Sequence, residues 1–177
     1  MRLVRESVNA CSVSNVRKVG VLSDTHASTL DELPTALRGL IGSVDLIIHA
    51  GDYTGKGLLD ELQNSGIPFH GVYGNLDGLA IRNSLPGEEL IELERLRIGI
   101  THPSEGGPPE GIERRIRAKF LETDVLIYGH THFAMNEVRD GILYLNPGSA
   151  TGKYPAPYPS IAILEMYPEM RAVIHRA

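Results

Sequence analysis

Seven residues of this chain can bind metal or move protons, and they recur at a near-regular interval: Asp24, His26, Asp52, Asn75, His102, His130 and His132. From Asp24 the steps to Asp52, Asn75, His102 and His130 are 28, 23, 27 and 28 residues. Each step is about one strand plus its connection, so successive groups can return to one edge of a sheet. Three Asp or Asn oxygens and four His nitrogens make a mixed hard and borderline donor set. It suits Mn²⁺, Fe, Ni²⁺, Zn²⁺ or Co²⁺ rather than Ca²⁺ or a thiolate-bound structural metal. Seven donors exceed the needs of one ion, and with Asp52 bridging they divide into two sites. Two ions about 3.5–4 Å apart clamp the attacking and leaving oxygens of an in-line displacement, and phosphate-ester hydrolysis is the reaction that most needs such a clamp. Taken singly, Asp24 could cap a helix, Asn75 could close a turn, and His130 or His132 could be surface histidines. It is their joint occurrence that points to a metal site.

Each donor follows a short apolar run. Lys18–Leu22, Val44–His49, Phe69–Tyr73, Leu96–Thr101 and Val125–Tyr128 read as buried strands, and ligands gather outside the carboxyl ends of such strands. Asp24 and His26 lie two apart, as do His130 and His132, so an extended backbone would point each pair to one side. Leu33, Leu37 and Ile41 mark a helix with Pro34 in its first turn; Leu58, Leu59 and Leu62 mark a second that Gly66 would end; Ile112, Ile116 and Phe120 mark a third. The first half is thus βαβαβ, which favours a parallel sheet. The second half is rich in hairpins: Glu89–Leu93 runs into Leu96–Thr101, Asp140-Gly141 separates Asn136–Arg139 from Ile142–Leu145, and Ser160–Tyr167 faces Arg171–Arg176 across Pro168. The expected fold is α/β, two packed β-sheets flanked by helices. Ser104–Gly111 is the most loop-like interior stretch.

With 177 residues, 42% hydrophobic and 22% charged, one self-sufficient domain is the expectation, assigned to 18–177 with 1–17 as a loose N-terminal extension. A net charge of -5 argues against binding nucleic acid polymer or anionic membrane by charge, and no apolar run reaches the roughly 18 residues of a membrane span. The single Cys11 cannot pair within the chain and fits a reducing compartment, so the cytoplasm is the expected location. Self-association is not legible. His49 and His70 fall within strands and read as packed or supporting histidines, and His175 as irrelevant to the site. Arg114, Arg115, Arg117 and Lys119 read as a solvated helix face. Asp77, Asn146 and Ser149 could support the donors or merely close turns. A metallopeptidase would share dinuclear chemistry, but no His-Glu-x-x-His occurs.

Asp24-x-His26, Gly51-Asp52, Gly74-Asn75-x-Asp77, His102 and Gly129-His130-x-His132, in that order, resemble the signature of the calcineurin-like metallophosphoesterases. The small size, missing cap domain and Leu145-Asn146-Pro147-Gly148-Ser149 are similar to the family's compact single-domain prokaryotic phosphodiesterases. The resemblance implies a four-layer α/β/β/α sandwich. It also implies one metal held by Asp24, His26, Asp52 and His132 and a second held by Asp52, Asn75, His102 and His130. By the same resemblance the cofactors are two divalent transition metal ions, manganese first, and the substrate is a phosphate ester, a diester by preference. The nucleophile would be a metal-bridging hydroxide held by Asp52, with support from Asp77 and Asn146. The alternative is a protein-interaction scaffold like the retromer subunit of similar fold, in which the metal centre is degraded. The chain departs from many relatives in having Leu76 where a leaving-group histidine follows the motif Asn, and Pro103-Ser104 after His102 where Gly-His is frequent.

Overall fold

Period-two alternation sorts the strands onto two faces. In a computed structural model, which describes residues 9–10, 15–103 and 105–177, the elements are β1 (Asn9–Ala10), β2 (Lys18–Leu22), a 3-10 turn (Leu30–Glu32), α1 (Thr35–Ile41), β3 (Leu46–Ala50), α2 (Lys56–Gln63), β4 (Phe69–Val72), α3 (Leu79–Arg82), β5 (Glu88–Leu93), β6 (Leu96–Thr101), α4 (Ile112–Lys119), β7 (Val125–Tyr128), β8 (Met135–Arg139), β9 (Ile142–Asn146), β10 (Ser160–Glu165) and β11 (Arg171–Arg176). They form a five-stranded sheet in the order β11-β10-β2-β3-β4 and a six-stranded sheet in the order β1-β5-β6-β7-β9-β8. As the βαβαβ pattern requires, β2, β3 and β4 are parallel, with Val19 opposite Leu46 and Ile47 opposite Phe69.

Val19, Val21, Leu46, Ile48 and Ala50 of the first sheet meet Ile98, Ile100, Val125, Ile127, Leu143 and Leu145 of the second in an apolar layer between the sheets. The alternate residues face outward: Leu22 and Ile47 pack on Leu37, Leu58, Leu59 and Leu62 of α1 and α2, while Leu126 and Tyr128 pack on Ile112, Ile116 and Phe120 at α4. Each fully buried Val, Leu or Ile contributes about 1.5–3 kcal/mol. Three apolar layers between four layers of structure make the expected α/β/β/α sandwich. No helix among the described residues is long and apolar enough to cross a membrane.

Several element boundaries differ from the sequence reading for local reasons. The strand expected from Val44 starts at Leu46, because the Asp45 carboxylate accepts the N–H groups of Arg17 and Lys18, each at 2.9 Å, and holds a turn. The strand expected to include Tyr73 ends at Val72, since the Tyr73 N–H donates to Pro86 O at 3.0 Å. Helix α2 stops at Gln63, before Gly66, whose φ of +81° serves the following turn. Within the segment assigned to an extension, Asn9–Ala10 pair in parallel with Ile91–Glu92 of β5, and Val16 is buried in the core. The rest of that assignment, 1–8 and 11–14 with Cys11, lies outside the described residues, as does Ser104.

Candidate metal centre

The sandwich brings strand ends from both sheets together. Asp24, Asp52 and Asn75 follow β2, β3 and β4 of one sheet, and His102 and His130 follow β6 and β7 of the other. The turn after β2 is zipped to the turn after β3: Asp24 N–H donates to Gly51 O (2.9 Å), His26 N–H to Asp52 O (3.1 Å) and Ala27 N–H to Tyr53 O (3.0 Å). All seven candidates converge. Asp24, Asp52 and His102 form a buried floor, and His26, Asn75, His130 and His132 a half-buried rim.

The backbone there is not extended. Asp24, His26, Asp52, His130 and His132 have φ of 49°, 45°, 59°, 82° and 63°, all left-handed, so the expectation that each i, i+2 pair points one way along an extended segment is corrected. Sharp turns aim these side chains instead. Non-glycine residues in this region each cost on the order of 1–3 kcal/mol and persist only where their surroundings hold them.

The glycines before three of the donors have a steric reason. A methyl group at Gly51 would come within 2.7 Å of the His102 ring, one at Gly74 would overlap the Asp52 carboxylate, and one at Gly129 would overlap the Ser23 hydroxyl and lie 2.8 Å from Asp24 Oδ2. The Gly-Asp, Gly-Asn and Gly-His pairs thus record how closely the turns crowd one another.

Each buried carboxylate is aimed by fixed donors beside it. Asp24 Oδ2 accepts from the Ser23 hydroxyl (2.6 Å), the His130 N–H is shared between Oδ2 (3.0 Å) and Oδ1 (3.3 Å), and Oδ1 stands 3.3 Å from His132 Nε2 and 4.0 Å from His26 Nε2. Asp52 Oδ1 accepts from the Leu76 N–H (2.8 Å), leaving Oδ2 at 3.6 Å from His102 Nε2 and 3.9 Å from His26 Nε2.

Three histidines are anchored by backbone carbonyls. His102 Nδ1 donates to Ala50 O (2.7 Å), His130 Nε2 to Gly107 O (2.7 Å) and His132 Nδ1 to Lys153 O (2.8 Å). A carbonyl has no proton to give, so each of these ring nitrogens carries one, and in the neutral ring the other nitrogen presents a lone pair. Two of those lone pairs face a further acceptor, His102 Nε2 and His130 Nδ1 lying 3.1 and 3.0 Å from Asn75 Oδ1, while His132 Nε2 lies 3.2 Å from His26 Nε2 and 3.3 Å from Asp24 Oδ1. Lone pairs held that close repel unless a cation or proton lies between them. Ligand atoms about 2.0–2.2 Å from one ion stand roughly 3–3.6 Å from each other, which is the spacing of most of these pairs, His26 standing wider at 3.9 and 4.0 Å from the two carboxylates. Among the described residues, Asp24 with His26 and His132, and Asp24 with Asp52 and His102, are clusters that could hold a metal ion. Donor type, spacing and anchored outer nitrogens all fit divalent transition metals.

Protonation follows the same geometry. Burial works to raise the Asp24 carboxyl, but the hydrogen bond from His132 and the charges of His102 and His132 outweigh it and hold the group below its usual value. Burial pushes Asp52 up against the pull of His102, and pushes His26 down. Burial also opposes the charged form of His132, yet its hydrogen bond to Asp24 prevails and raises the ring above its ordinary value.

The remaining candidates hold turns. Asp77 accepts from Asp52 N–H (2.9 Å) and Gly74 N–H (2.7 Å) through Oδ2 and from Thr54 N–H (2.8 Å) through Oδ1. Asn146 donates to Gly129 O (3.3 Å) and Thr131 Oγ1 (3.1 Å), and Ser149 to Asp24 O (2.7 Å). His49 is fully buried, accepts from the Gly51 N–H (3.2 Å) through Nδ1, lies 3.2 Å from Thr25 Oγ1 through Nε2 and stacks on Tyr53. His70 pairs with Glu89 (2.9 Å), which links β4 to β5, and His175 lies in β11; both are apart from the donors. Arg115 donates to Pro108 O, Arg117 to Phe120 O and Leu121 O, and Lys119 pairs with Glu105 and with Glu88 of β5, so these cations tie the helix to its flanking loops and to the neighbouring strand. Sequence reasoning assigned no role to Ser23 or to the carbonyls of Ala50, Gly107 and Lys153. Ser23 was within reach as the neighbour of a buried Asp; a backbone carbonyl carries no residue signal.

Comparison with known proteins places the chain in a family. The calcineurin-like phosphoesterase superfamily domain matches residues 18–168. A probable metallophosphoesterase of Methanocaldococcus jannaschii is 41% identical over 75% of this chain and 68% of its own length; a phosphodiesterase of the same organism is 31% identical over 84% and 92%. Among solved structures, an archaeal phosphodiesterase superposes with a TM-score of 0.69 at 30% identity, covering 89% of this chain and 99% of its own. Wild-type Vps29 of Entamoeba histolytica in complex with zinc gives 0.70 at 26%, covering 90% and 98%. Donor set, fold and relatives converge, and the chain is a phosphoesterase of the calcineurin-like superfamily.

Proposed function

We propose that the protein is a dinuclear metal-dependent phosphodiesterase, with Asp24, His26, Asp52 and His132 holding one divalent ion and Asp52, Asn75, His102 and His130 the other. The observation that carries this reading is the convergence of ligand-capable nitrogen and oxygen atoms in two adjoining clusters, with Asp52 Oδ2 near histidines of both. Bound ions would supply a nucleophile from water at neutral pH and offset charge on the phosphoryl oxygens. The chain's own residues do the rest. Ala50 O, Gly107 O and Lys153 O keep three imidazoles in the tautomer that presents a lone pair inward, and Ser23 and the Leu76 N–H aim one oxygen of each buried carboxylate. Leu76, 60% exposed, has no proton to give a departing oxygen, which favours diesters whose leaving groups carry charge unaided. The diester preference is supported by the relatives named as phosphodiesterases.

The test is turnover of bis-(p-nitrophenyl) phosphate and of p-nitrophenyl phosphate by chelated protein resupplied with Mn²⁺, Co²⁺, Ni²⁺ or Zn²⁺. Metal-dependent cleavage faster on the diester is expected, with Mn²⁺ the best activator. Activity that survives chelation, or a monoester preference, would overturn the reading. A scaffold role by analogy with Vps29 rests on likeness of fold alone.

A further inference from the structure

Asn75 is a neutral amide, half-buried, in a turn between β4 and α3, with its Oδ1 between His102 and His130. Arg82, the last residue of the four-residue α3, lies behind that turn. Its Nε donates to Asp77 O at 2.7 Å, and its Nη2 donates to Gly74 O at 3.1 Å and Asn75 O at 2.9 Å. The guanidinium also lies 4.8 Å from the centre of the Tyr73 ring. Three carbonyls of one four-residue turn are thus gathered on one planar fork. The opposite side of the same turn sends the Leu76 N–H to Asp52 and the Gly74 N–H to Asp77. Drawing the carbonyls one way turns these amides, and with them Asn75, toward the donor cluster.

We infer that Arg82 is a positioning residue for Asn75 and so governs occupancy of the ion that Asn75, His102 and His130 would share. The inference rests on the two-ion reading above. Charge and geometry make opposite demands. A fixed cation behind a metal site repels the incoming ion, so if charge were its main effect, removing Arg82 would tighten binding. If the fork holds the ligand turn, removing it loosens one ion and spares the other. A lysine in its place keeps the charge but offers a single point, and cannot span three carbonyls.

The experiment is calorimetric titration of metal-free full-length chain with Mn²⁺, for wild type, Arg82→Gln and Arg82→Lys, each checked for fold by circular dichroism and metal-free melting. Wild type should take two ions. In Arg82→Gln one ion should keep its affinity and the other should weaken about 10–100-fold, the range seen when a partner that orients a metal ligand is lost. Arg82→Lys should show the same selective loss, and it guards against a glutamine variant that does not fold. Equal weakening of both ions, unchanged or tighter binding, or full recovery in the lysine variant would overturn the assignment. If wild type itself stops at one ion, the two-ion reading falls and this one with it. Two ions in wild type without selective loss in the variants strikes Arg82 alone.

Discussion

The N–H of Leu76 donates to Asp52 Oδ1 at 2.8 Å and thereby turns the other oxygen of Asp52 toward His26 on one side and His102 on the other. Replacing that oxygen should disturb both clusters at once. Asp52→Asn is expected to weaken both ions by more than about 100-fold, beyond the loss typical of an orienting partner, whereas His26→Ala should chiefly weaken one. Elemental analysis after Mn²⁺ loading and calorimetric titration read this directly. Selective loss of one ion in both variants would contradict a shared Asp52.

Leu76 lies beside Asn75 with its side chain toward solvent. Leu76→His should therefore add a proton donor near the mouth without disturbing the core. The gain should be greatest on diesters with poor leaving groups, on the order of 10²-fold if the new ring is well placed, and absent in Leu76→Ala. Rates across a graded series of aryl and alkyl diesters at equal metal loading test this. A uniform gain on all substrates would count against missing acid assistance.

Burial pushes His49 down to about 3 from an ordinary 6.5, so the fold keeps it neutral while the unfolded chain takes up a proton. The stability linked to this ring is complete above the unfolded value and is lost as pH falls toward the folded one, at about 1.4 kcal/mol per pH unit within that window. Urea unfolding of metal-free protein from about pH 4 to 7 should show a shallower acid limb for His49→Gln than for wild type. Parallel limbs would mean that His49 is charged in the fold.

Chelation should abolish turnover yet leave the fold intact. The apolar layers between and outside the sheets close without a metal, and three of the four histidine donors are tied to backbone carbonyls. Far-ultraviolet dichroism should be unchanged, while the melting midpoint falls by the linkage share of the ions, about 2.7 kcal/mol for each held at 100 times its dissociation constant. Cooperative unfolding on chelation alone would show that metal is needed to form the sandwich.

Strands and ligand order were legible because both are written as residue types. Lys18–Leu22, Leu96–Thr101, Val125–Tyr128 and Arg171–Arg176 have the bounds their apolar runs suggest, and each site motif begins within two residues of a strand's end. The rest depends on backbone. Nothing in the order Ser23-Asp24-Thr25-His26 announces a left-handed φ, which arises where this turn is zipped to that of Gly51–Tyr53. The carbonyls that set the histidine tautomers come from three separate places, Ala50, Gly107 and Lys153, and any residue type could have supplied them. Helix α3 has four residues, too few to show a period, and so Arg82 went unread.

The crowding at Gly51, Gly74 and Gly129 bears on how divergent copies of this domain should be judged. Inheritance of the seven donors is usually counted ligand by ligand, as though each were an independent vote for activity. A copy that keeps every Asp, Asn and His but acquires alanine before one of them would pass that count. Its added methyl would nonetheless force apart a neighbouring donor from a distant stretch of chain. Decay of such a lineage can therefore begin at a residue that never touches metal or substrate, with the ligands surviving for a time as fossils.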